Sequence, residues 1–239
     1  MKFLDLSLPE PAENLAADEA LLDAAESGAG GEVLRCWESP LPFVVIGYAN
    51  KTDTEVDRAA CAQLQVPVLR RCSGGGTVVQ GPGCLNYSLV LEIAALPALG
   101  GIPSTNRFIM ERNRDALARL LKRPVEIQGH TDLTLGGLKF SGNAQRRKKK
   151  FLLFHGTLLL DYDLARITRL LPFPSLQPDY RQNRAHQVFL TNLHAPTAPV
   201  KEVLREAWQA GQPLLNPPLE TIRALARDRY AKADWNEKF

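Results

Sequence analysis

Strand patterns crowd the middle of this chain and helical patterns follow them, and this order constrains the fold more than any other feature. Apolar and β-branched runs bounded by Gly, Pro and Asn predict strands at 33–37, 43–48, 66–70, 77–80, 85–92, 125–128, 132–135, 138–141 and 151–160. Apolar residues at helical spacing predict helices at 13–25, 54–65, 104–122, 163–171, 199–210 and 219–231. Without regular βαβ alternation, the pattern predicts an α+β domain, in which helices pack on a mixed or antiparallel sheet.

The chain is long enough to bury a core without a covalent staple. A domain of 239 residues buries about 70% of its unfolded surface. The four cysteines form no CxxC pair, so we expect reduced thiols and no metal site built wholly from protein ligands. No apolar run reaches the roughly 20 residues of a membrane span, and the first residues lack a signal-peptide pattern. We therefore expect one cytoplasmic domain over residues 1–239 with no membrane contact.

A glycine-rich loop at 70–79 (RRCSGGGTVV) carries the strongest chemical signal. Three glycines between two strands let the backbone approach a ligand and present successive N–H groups to an anion. Arg71 offers a forked donor for phosphate or carboxylate. The alternative is a glycine-rich hairpin beside a surface arginine pair. The loop is not a Walker motif, because no Gly-Lys-Ser/Thr ends it.

Two further segments add candidate site residues. Lys139 lies in an apolar strand beside Gly142, where a lysine can neutralise a carboxylate or charge developing on phosphate. The alternative is an edge-strand lysine that points to water. His155 and Gly156 interrupt another apolar strand, and a glycine there often marks close backbone approach. A core histidine with its hydrogen bonds satisfied is the other interpretation.

Cys84 follows a second glycine turn and is the one thiol that we considered as a nucleophile. No histidine lies near it in the sequence to activate it, so a buried structural thiol is the favoured interpretation, and the same holds for Cys72.

A basic run lies in a segment without acidic residues between Asp132 and Asp161. It is either a solvated loop, a docking surface for an acidic protein, or a weak nucleic-acid contact. The net charge of +3 is too small for a nucleic-acid-binding surface, and the nearby phenylalanines have a core setting. We therefore expect no nucleic-acid partner. The predicted docking residues are Arg146, Arg147, Lys148, Lys149 and Lys150.

The order of these blocks resembles the lipoate–protein ligase and octanoyltransferase superfamily, which is related to biotin–protein ligases. The matching blocks are 70–78 (RRCSGGGTV), 129–133 (GHTDL), 139–147 (KFSGNAQRR) and 155–160 (HGTLLL). The resemblance implies the catalytic-domain fold shared by biotin ligases and class II aminoacyl-tRNA synthetases, a mixed sheet with flanking helices. It also implies activation of lipoate by ATP and Mg²⁺ to lipoyl-AMP, and transfer to a lysine of an acidic lipoyl domain or H-protein.

The resemblance also implies roles for individual residues. Lys139 would be catalytic and would hold the carboxylate or acyl-phosphate oxygens, and Asp132 would lie near the adenylate or its Mg²⁺. The residues expected at the lipoyl-adenylate are Arg71, Ser73, Gly74, Gly75, Gly76, Thr77, Val78, Val79, Asp132, Lys139, Ser141, Gly142, His155, Gly156 and Thr157.

The chain departs from the family pattern in three places. The family's glycine loop is usually followed by His-Asp and Gly-Asn, but here by Gln80-Gly81 and Gly83-Cys84, and Thr131 replaces the usual Asn before Asp132. The sequence stops after 235–236, so we expect no C-terminal accessory domain of the long ligases. The chain is then a short ligase, alone or with an accessory subunit, or an octanoyltransferase that takes octanoate from acyl carrier protein.

The cysteine positions favour the ligase. Cys-dependent octanoyltransferases that resemble this chain carry their nucleophile before the lysine block, and 128–138 contains no cysteine. In the transferase alternative, Cys84 is the possible nucleophile. A third alternative is a non-catalytic subunit that binds lipoyl domains, but such a subunit would need neither Lys139 nor the triple glycine.

Overall fold

Eleven strands build two sheets in the computed structural model, which describes residues 1–239. The strands are β1 Lys2–Asp5, β2 Val33–Glu38, β3 Phe43–Ile46, β4 Val68–Arg70, β5 Val78–Gln80, β6 Cys84–Glu92, β7 Glu126–Gln128, β8 Asp132–Leu135, β9 Leu138–Arg147, β10 Phe151–Leu159 and β11 Gln212–Pro213. The main sheet has the order β11-β1-β2-β6-β10-β9-β8-β7, and the small sheet has the order β4-β3-β5. Both sheets contain parallel and antiparallel pairs, so the predicted mixed sheet is confirmed.

Nine helices cover the sheets. They are α1 Pro11–Ser27, α2 Thr52–Glu55, α3 Arg58–Gln63, α4 Ile102–Leu121, α5 Leu164–Leu170, α6 His186–Phe189, α7 Thr197–Ala207, α8 Leu219–Leu225 and α9 Ala233–Asn236. The helix predicted at 54–65 is two short helices, since the backbone is extended at Val56 and Asp57 caps α3 through the N–H of Ala60. None of the helices is both long and apolar enough to span a membrane.

The centre of the main sheet is buried on both faces. Leu89 and Leu152 share one hydrophobic cluster with Ile109 of α4, whereas Val90 and Leu153 share another with Leu22 of α1. Successive side chains of β6 and β10 therefore serve opposite layers, as the period of two in a strand requires. This arrangement explains why these strands are continuous apolar runs in the sequence.

Strand β9 is longer than the sequence predicted. We expected it to end at Ser141, but it pairs with β10 from Ser141 to Arg147. The prediction failed because the second half of β9 is polar and shows no strand pattern. Its pairing with the apolar strand β10, which lies in the core, keeps it in the sheet. The basic run therefore begins inside a sheet and not in a loop.

Glycine at position 156 lets a polar hub form between β9 and β10. Gly156 lies opposite Asn143, and a Cβ added at 156 would lie 1.7 Å from Asn143 Oδ1. The Asn143 amide fills that space, donates to the carbonyl of Thr131 (2.6 Å) and accepts from the hydroxyl of Tyr87. Thr131 in turn donates to the Asn143 carbonyl at 2.9 Å. The hub therefore ties the segment before β8 to the sheet.

A buried ion pair ties helix α1 to the main sheet. Arg35 of β2 donates to Asp18 at 2.7 Å, and both side chains are almost fully buried. The same guanidinium donates to Asn14 Oδ1 (2.8 Å) and to the carbonyl of Leu6 (3.0 Å). Burial would raise the pKa of Asp18, but a hydrogen bond from His155 and the charge of Arg35 outweigh it and hold the pKa below its usual value. Asp18 is therefore ionised at neutral pH.

We predict that Asp18→Asn lowers the free energy of unfolding at pH 7 by about 3–5 kcal/mol, because it leaves Arg35 buried without a counter-charge. The folded pKa of Asp18 is depressed, so its stabilising effect is present above about pH 4 and is lost as the pH falls through the folded pKa. Urea unfolding from pH 7 to pH 3 should show the difference from wild type shrinking. Asp23→Asn, which removes the exposed pair with Lys148, is the control and should cost less than about 1 kcal/mol.

We predict that Gly156→Ala lowers the free energy of unfolding by about 1–3 kcal/mol, because the new methyl group expels the Asn143 amide from the hub. Chemical denaturation measures this change. Gly31→Ala is the matched control, since a Cβ at position 31 meets no atom within 4 Å. Equal stability of the two variants would contradict the hub.

Candidate active site

The glycine loop joins β4 to β5, and Arg71 determines its shape. The Arg71 guanidinium donates to the carbonyls of Gly74 (2.6 Å) and Gly76 (2.7 Å), and its Nε donates to Ser73 Oγ (3.1 Å). With these carbonyls drawn to one side, the N–H groups of Gly74, Gly75 and Gly76 donate no hydrogen bond within the protein. A row of free backbone N–H groups beside a buried cation is an anion-binding arrangement. Burial lowers the pKa of Arg71 to about 10, which keeps it charged at neutral pH.

Close backbone contacts require glycine in this loop. Gly75 has φ +88°, and a Cβ there would lie 2.9 Å from Arg71 Nη2 and 3.4 Å from the Cβ of Ala144 on β9. A Cβ on Gly47, which follows β3, would lie 2.1 Å from the carbonyl oxygen of Gly75. Both sheets therefore meet at this loop.

A chain of three polar side chains supports the loop from below. The hydroxyl of Ser73 lies 2.6 Å from His155 Nε2, and His155 Nδ1 lies 3.1 Å from Asp18 Oδ2. Because the Asp18 carboxylate can only accept, His155 carries its proton on Nδ1, and Nε2 then accepts from Ser73. Ser73 is 1% exposed, so this chain positions the loop and does not present a free hydroxyl. Sequence reasoning missed Asp18, whose only signal is an acid on the apolar face of α1.

Lys139 forms the second part of the site. Its Nζ lies 2.9 Å from Asp132 Oδ1, and the Lys139 and Asp132 side chains are 25% and 13% exposed. The hydroxyl of Tyr180 donates to Asp132 Oδ2 at 2.7 Å. Burial and the Asp132 charge raise the pKa of Tyr180, so it stays a donor. The Lys139 side chain crosses Gly142, where a Cβ would lie 3.1 Å from its Nζ.

These residues do not fit a metal held by the protein. Both Asp132 oxygens are already bonded, to Lys139 and Tyr180, and no group of three or more His, Cys, Asp or Glu residues could hold an ion. Asp132 is hydrogen-bonded to Lys139 and Tyr180 here, and its expected contact with a nucleotide-bound Mg²⁺ stays a prediction.

Strand β9 brings the two parts of the site together. Gly142 lies under Lys139 and Ala144 lies under Gly75, and these alternate positions share one face of the strand. The loop glycines and Lys139 therefore border one shallow region of β9. Three side chains beside this region form a closed hydrogen-bonded ring. Gln80 Nε2 donates to Thr157 Oγ1 (2.6 Å), Thr157 Oγ1 donates to Asn86 Oδ1 (2.8 Å), and Asn86 Nδ2 donates to Gln80 Oε1 (3.0 Å).

Some predicted site residues lie elsewhere. Val79 is 3% exposed and packs in the core, because alternation along β5 turns it away from the loop. Ser141 is 2% exposed and accepts a hydrogen bond from Asn143. Val78 packs beside a core cluster, and the hydroxyl of Thr77 is buried. Val79 and Ser141 are thus buried, whereas Thr77 and Val78 are partly exposed, and the predicted contacts of all four with the adenylate stay predictions.

Cys84 is also separated from the site. It is fully buried in a core cluster with Val79 and Tyr162, and burial raises the pKa of its thiol well above the usual value. Burial likewise raises the pKa of Cys72 to about 12. Both thiols are therefore protonated and shielded, and the position of Cys84 does not suit a nucleophile.

The side chains of the basic run contact different parts of the structure. Arg147 donates to the carbonyl of Leu99 at 2.6 Å, and Lys148 pairs with Asp23. Arg146, on the opposite face of β9, reaches the carbonyl of Cys72 at 3.4 Å. The turn at Lys149 and Lys150 is held by the carboxylate of Glu26 through backbone N–H groups. Strand alternation and local acids therefore divide the five cations that the sequence predicts as docking residues.

Known proteins of two named activities are similar to this chain over nearly its whole length. The octanoyltransferase LipM of Carboxydothermus hydrogenoformans is 27% identical over 274 residues, covering 100% of this chain and 98% of the relative. The probable lipoate-protein ligase A of Mycoplasma pneumoniae is 28% identical over 99% of this chain and 71% of the relative.

The fold is also that of solved lipoate-protein ligases. A crystal structure of lipoate-protein ligase A bound with ATP superposes with a TM-score of 0.83 at 24% identity, covering 99% of this chain and 98% of that one. A putative lipoate protein ligase from T. acidophilum with bound lipoic acid gives 0.82 at 22% identity, covering 100% and 98%. The family model of the lipoyl protein ligase A/B catalytic domain matches residues 10–207. The chain is thus an enzyme that belongs to the lipoyl protein ligase A/B catalytic domain family.

Proposed function

We propose that this enzyme is a lipoate–protein ligase, which activates lipoate with ATP and transfers the lipoyl group to a lysine of a lipoyl-carrier protein. The observation that carries the proposal is the burial of all four cysteines. An acyl transferase that uses a covalent thioester needs an accessible thiolate. A ligase needs none, because the acyl-adenylate is itself the activated species.

The first step fits the glycine loop. A lipoate carboxylate oxygen attacks the α-phosphorus of ATP, the bond to the bridging oxygen breaks, and pyrophosphate leaves with the electron pair. Negative charge then gathers on oxygens around one phosphorus atom. The free N–H groups of Gly74, Gly75 and Gly76, with Arg71 behind them, are oriented donors for such charge.

The second step fits Lys139. The neutral ε-amine of the acceptor lysine attacks the acyl carbon, the bond to the phosphate oxygen breaks and AMP leaves with the electron pair, and the nitrogen releases one proton to water as the amide bond forms. Lys139 supplies a cation for the carbonyl oxygen as it becomes negative. For this, Lys139 exchanges its contact with Asp132 for the substrate, and Tyr180 keeps Asp132 in place.

The relatives support the substrates and the partner. The solved structures of similar fold hold ATP in one case and lipoic acid in another. A further one is a bi-partite ligase described with its E2 lipoyl domain from Thermoplasma acidophilum. These descriptions support ATP and lipoate as substrates, a lipoyl domain as acceptor, and a separate accessory subunit as a component to include in assays.

An octanoyltransferase is the second candidate. It is favoured by the relatives named octanoyltransferase LipM, which match nearly the full chain. Such an enzyme would take octanoate from acyl carrier protein without ATP. Its nucleophile would have to be found among thiols that are buried in this fold.

The deciding measurement is a mass-spectrometric transfer assay. The protein is incubated with an apo lipoyl domain and lipoate, with and without Mg-ATP, and in parallel with octanoyl–acyl carrier protein. We expect a lipoyl mass increase on the lipoyl domain only when ATP is present. Octanoyl transfer without ATP, and no lipoyl transfer with it, would instead establish the second candidate.

We predict that Lys139→Ala reduces transfer by roughly 100-fold or more, because it removes the cation that faces the reacting oxygens. The rate is measured by the same assay, and circular dichroism checks the fold. Lys149→Ala removes an exposed lysine outside the site and serves as the control. Near-normal turnover of Lys139→Ala would contradict the assigned role.

We predict that Cys84→Ala retains lipoyl transfer within about threefold of wild type, because a ligase uses no thiol. The replacement keeps the buried site apolar, and thermal unfolding reports any loss of packing. Complete loss of activity in a folded variant would revive Cys84 as a nucleophile.

A further inference from the structure

Aromatic and cationic side chains form an exposed patch beside the glycine loop, which we call the Tyr48 patch. Its members are Tyr48, Arg146, Trp235, Lys238 and Phe239. The Tyr48 ring lies 5.7 Å from the rings of both Trp235 and Phe239. Arg146 and Lys238 lie over the Tyr48 ring at 5.9 and 5.0 Å. Phe239 remains 48% exposed, so the patch presents a large apolar group to solvent.

The positive charge of the Tyr48 patch is unbalanced. Arg146 and Lys238 have no carboxylate within 4.0 Å, and nor has Lys51 beyond the Tyr48 turn. The nearest acids in sequence are Asp234 and Glu237, and Glu237 is paired with Arg58. A hydrogen bond and the charge of Lys238 lower the pKa of the Tyr48 hydroxyl, which agrees with a positive local field.

The Tyr48 patch is continuous with the candidate active site. The N–H of Tyr48 donates to the carbonyl of Ser73 at 2.8 Å, and Arg146 reaches the carbonyl of Cys72 at 3.4 Å. Along β9, Gly142 lies under Lys139 and Arg146 lies on the same face four residues later. At about 3.3 Å per residue, the patch begins about 13 Å from that glycine.

Buried Arg70 holds the patch rigid. Its guanidinium joins the segment after α8 to the turn after β3, and it is fully buried. It donates to the carbonyls of Gly47, Tyr48, Asn50, Trp235 and Asn236. The backbone N–H of Arg70 also donates to Asn236 Oδ1 at 2.8 Å. The terminal segment is therefore anchored to the strand that leads into the glycine loop, and it forms a preorganised surface.

We propose that the Tyr48 patch docks the acidic surface around the acceptor lysine of the carrier protein, an inference that rests on the proposed function. Exposed aromatic side chains with an arginine at their edge have the composition of a protein-binding hot spot. Unpaired cations steer and orient a partner of opposite charge. A separation of about 13 Å lets the partner rest on the patch while its lysine side chain extends along β9 to the acyl group.

The test compares two charge reversals at exposed lysines. Lys238→Glu changes the patch, and Lys122→Glu is the matched control at an exposed lysine after α4, on the other side of the main sheet from α1. Binding of an apo lipoyl domain with acidic residues beside its lysine is measured by calorimetry, and kcat/KM for that domain by the mass-spectrometric assay. We expect Lys238→Glu to weaken binding and kcat/KM at least fivefold and Lys122→Glu to leave both within twofold. ATP–pyrophosphate exchange with lipoate, which needs no carrier, should be unchanged in both variants.

The readouts separate the two proposals. Equal binding by wild type and Lys238→Glu, or equal losses in both variants, overturns the docking surface and leaves the ligase reaction standing. Absence of exchange in wild type overturns the ligase, while the binding difference still decides the docking surface. Phe239→Ala, which changes no charge, should weaken binding as well, and the effect of Lys238→Glu should diminish at high salt.

Discussion

Two adjacent arginines bonded to carbonyl oxygens are the constraint on which the rest of the site depends. Arg71 donates hydrogen bonds to carbonyls of the glycine loop, and Arg70 donates to carbonyls of the Tyr48 turn and of the terminal segment. Both guanidinium groups are buried and hydrogen-bonded to carbonyl oxygens, but neither has a carboxylate partner. Their hydrogen bonds are therefore satisfied, whereas their charges are not balanced. Burying such a cation is costly unless an anion completes the site. An anion bound at the loop would balance the charge of Arg71, which supports the proposed binding of a nucleotide there.

The same hydrogen bonds to carbonyl oxygens determine which backbone groups of the glycine loop are free to bind a ligand. An arginine that draws carbonyls toward the protein leaves the N–H groups of Gly74 to Gly76 without protein partners. His155 and Asp18 stabilise this arrangement from the side of α1 through Ser73. Asp18 therefore has two roles, as the counter-charge of Arg35 and as the end of the chain that orients the loop.

Local patterns were enough to predict the α+β class and a glycine-rich loop between two strands, while the catalytic role of Lys139 stays a prediction. They could not show which faces of β9 its residues occupy, because the register with β10 is a tertiary property. Arg146 and Arg147 are adjacent in sequence yet reach the carbonyls of Cys72 and Leu99 respectively. Tyr180 and Asp18 were missed for a related reason, since each is far in sequence from the residue that it positions.

The relatives and the buried thiols point to different acyl donors, and the geometry indicates which argument is stronger. The relatives named octanoyltransferase share about a quarter of their residues with this chain, a level at which the fold is kept while a nucleophile can be lost. Thiol chemistry requires an accessible sulfur with a pKa near neutrality, whereas Cys84 is fully buried and its pKa is raised. An acyl-adenylate supplies the activation that such a thiol would provide. Arg71, the free N–H groups and Lys139 are all suited to stabilise charge on oxygen, and none requires a covalent acyl-enzyme, so the chemistry of the site supports the proposed ligase.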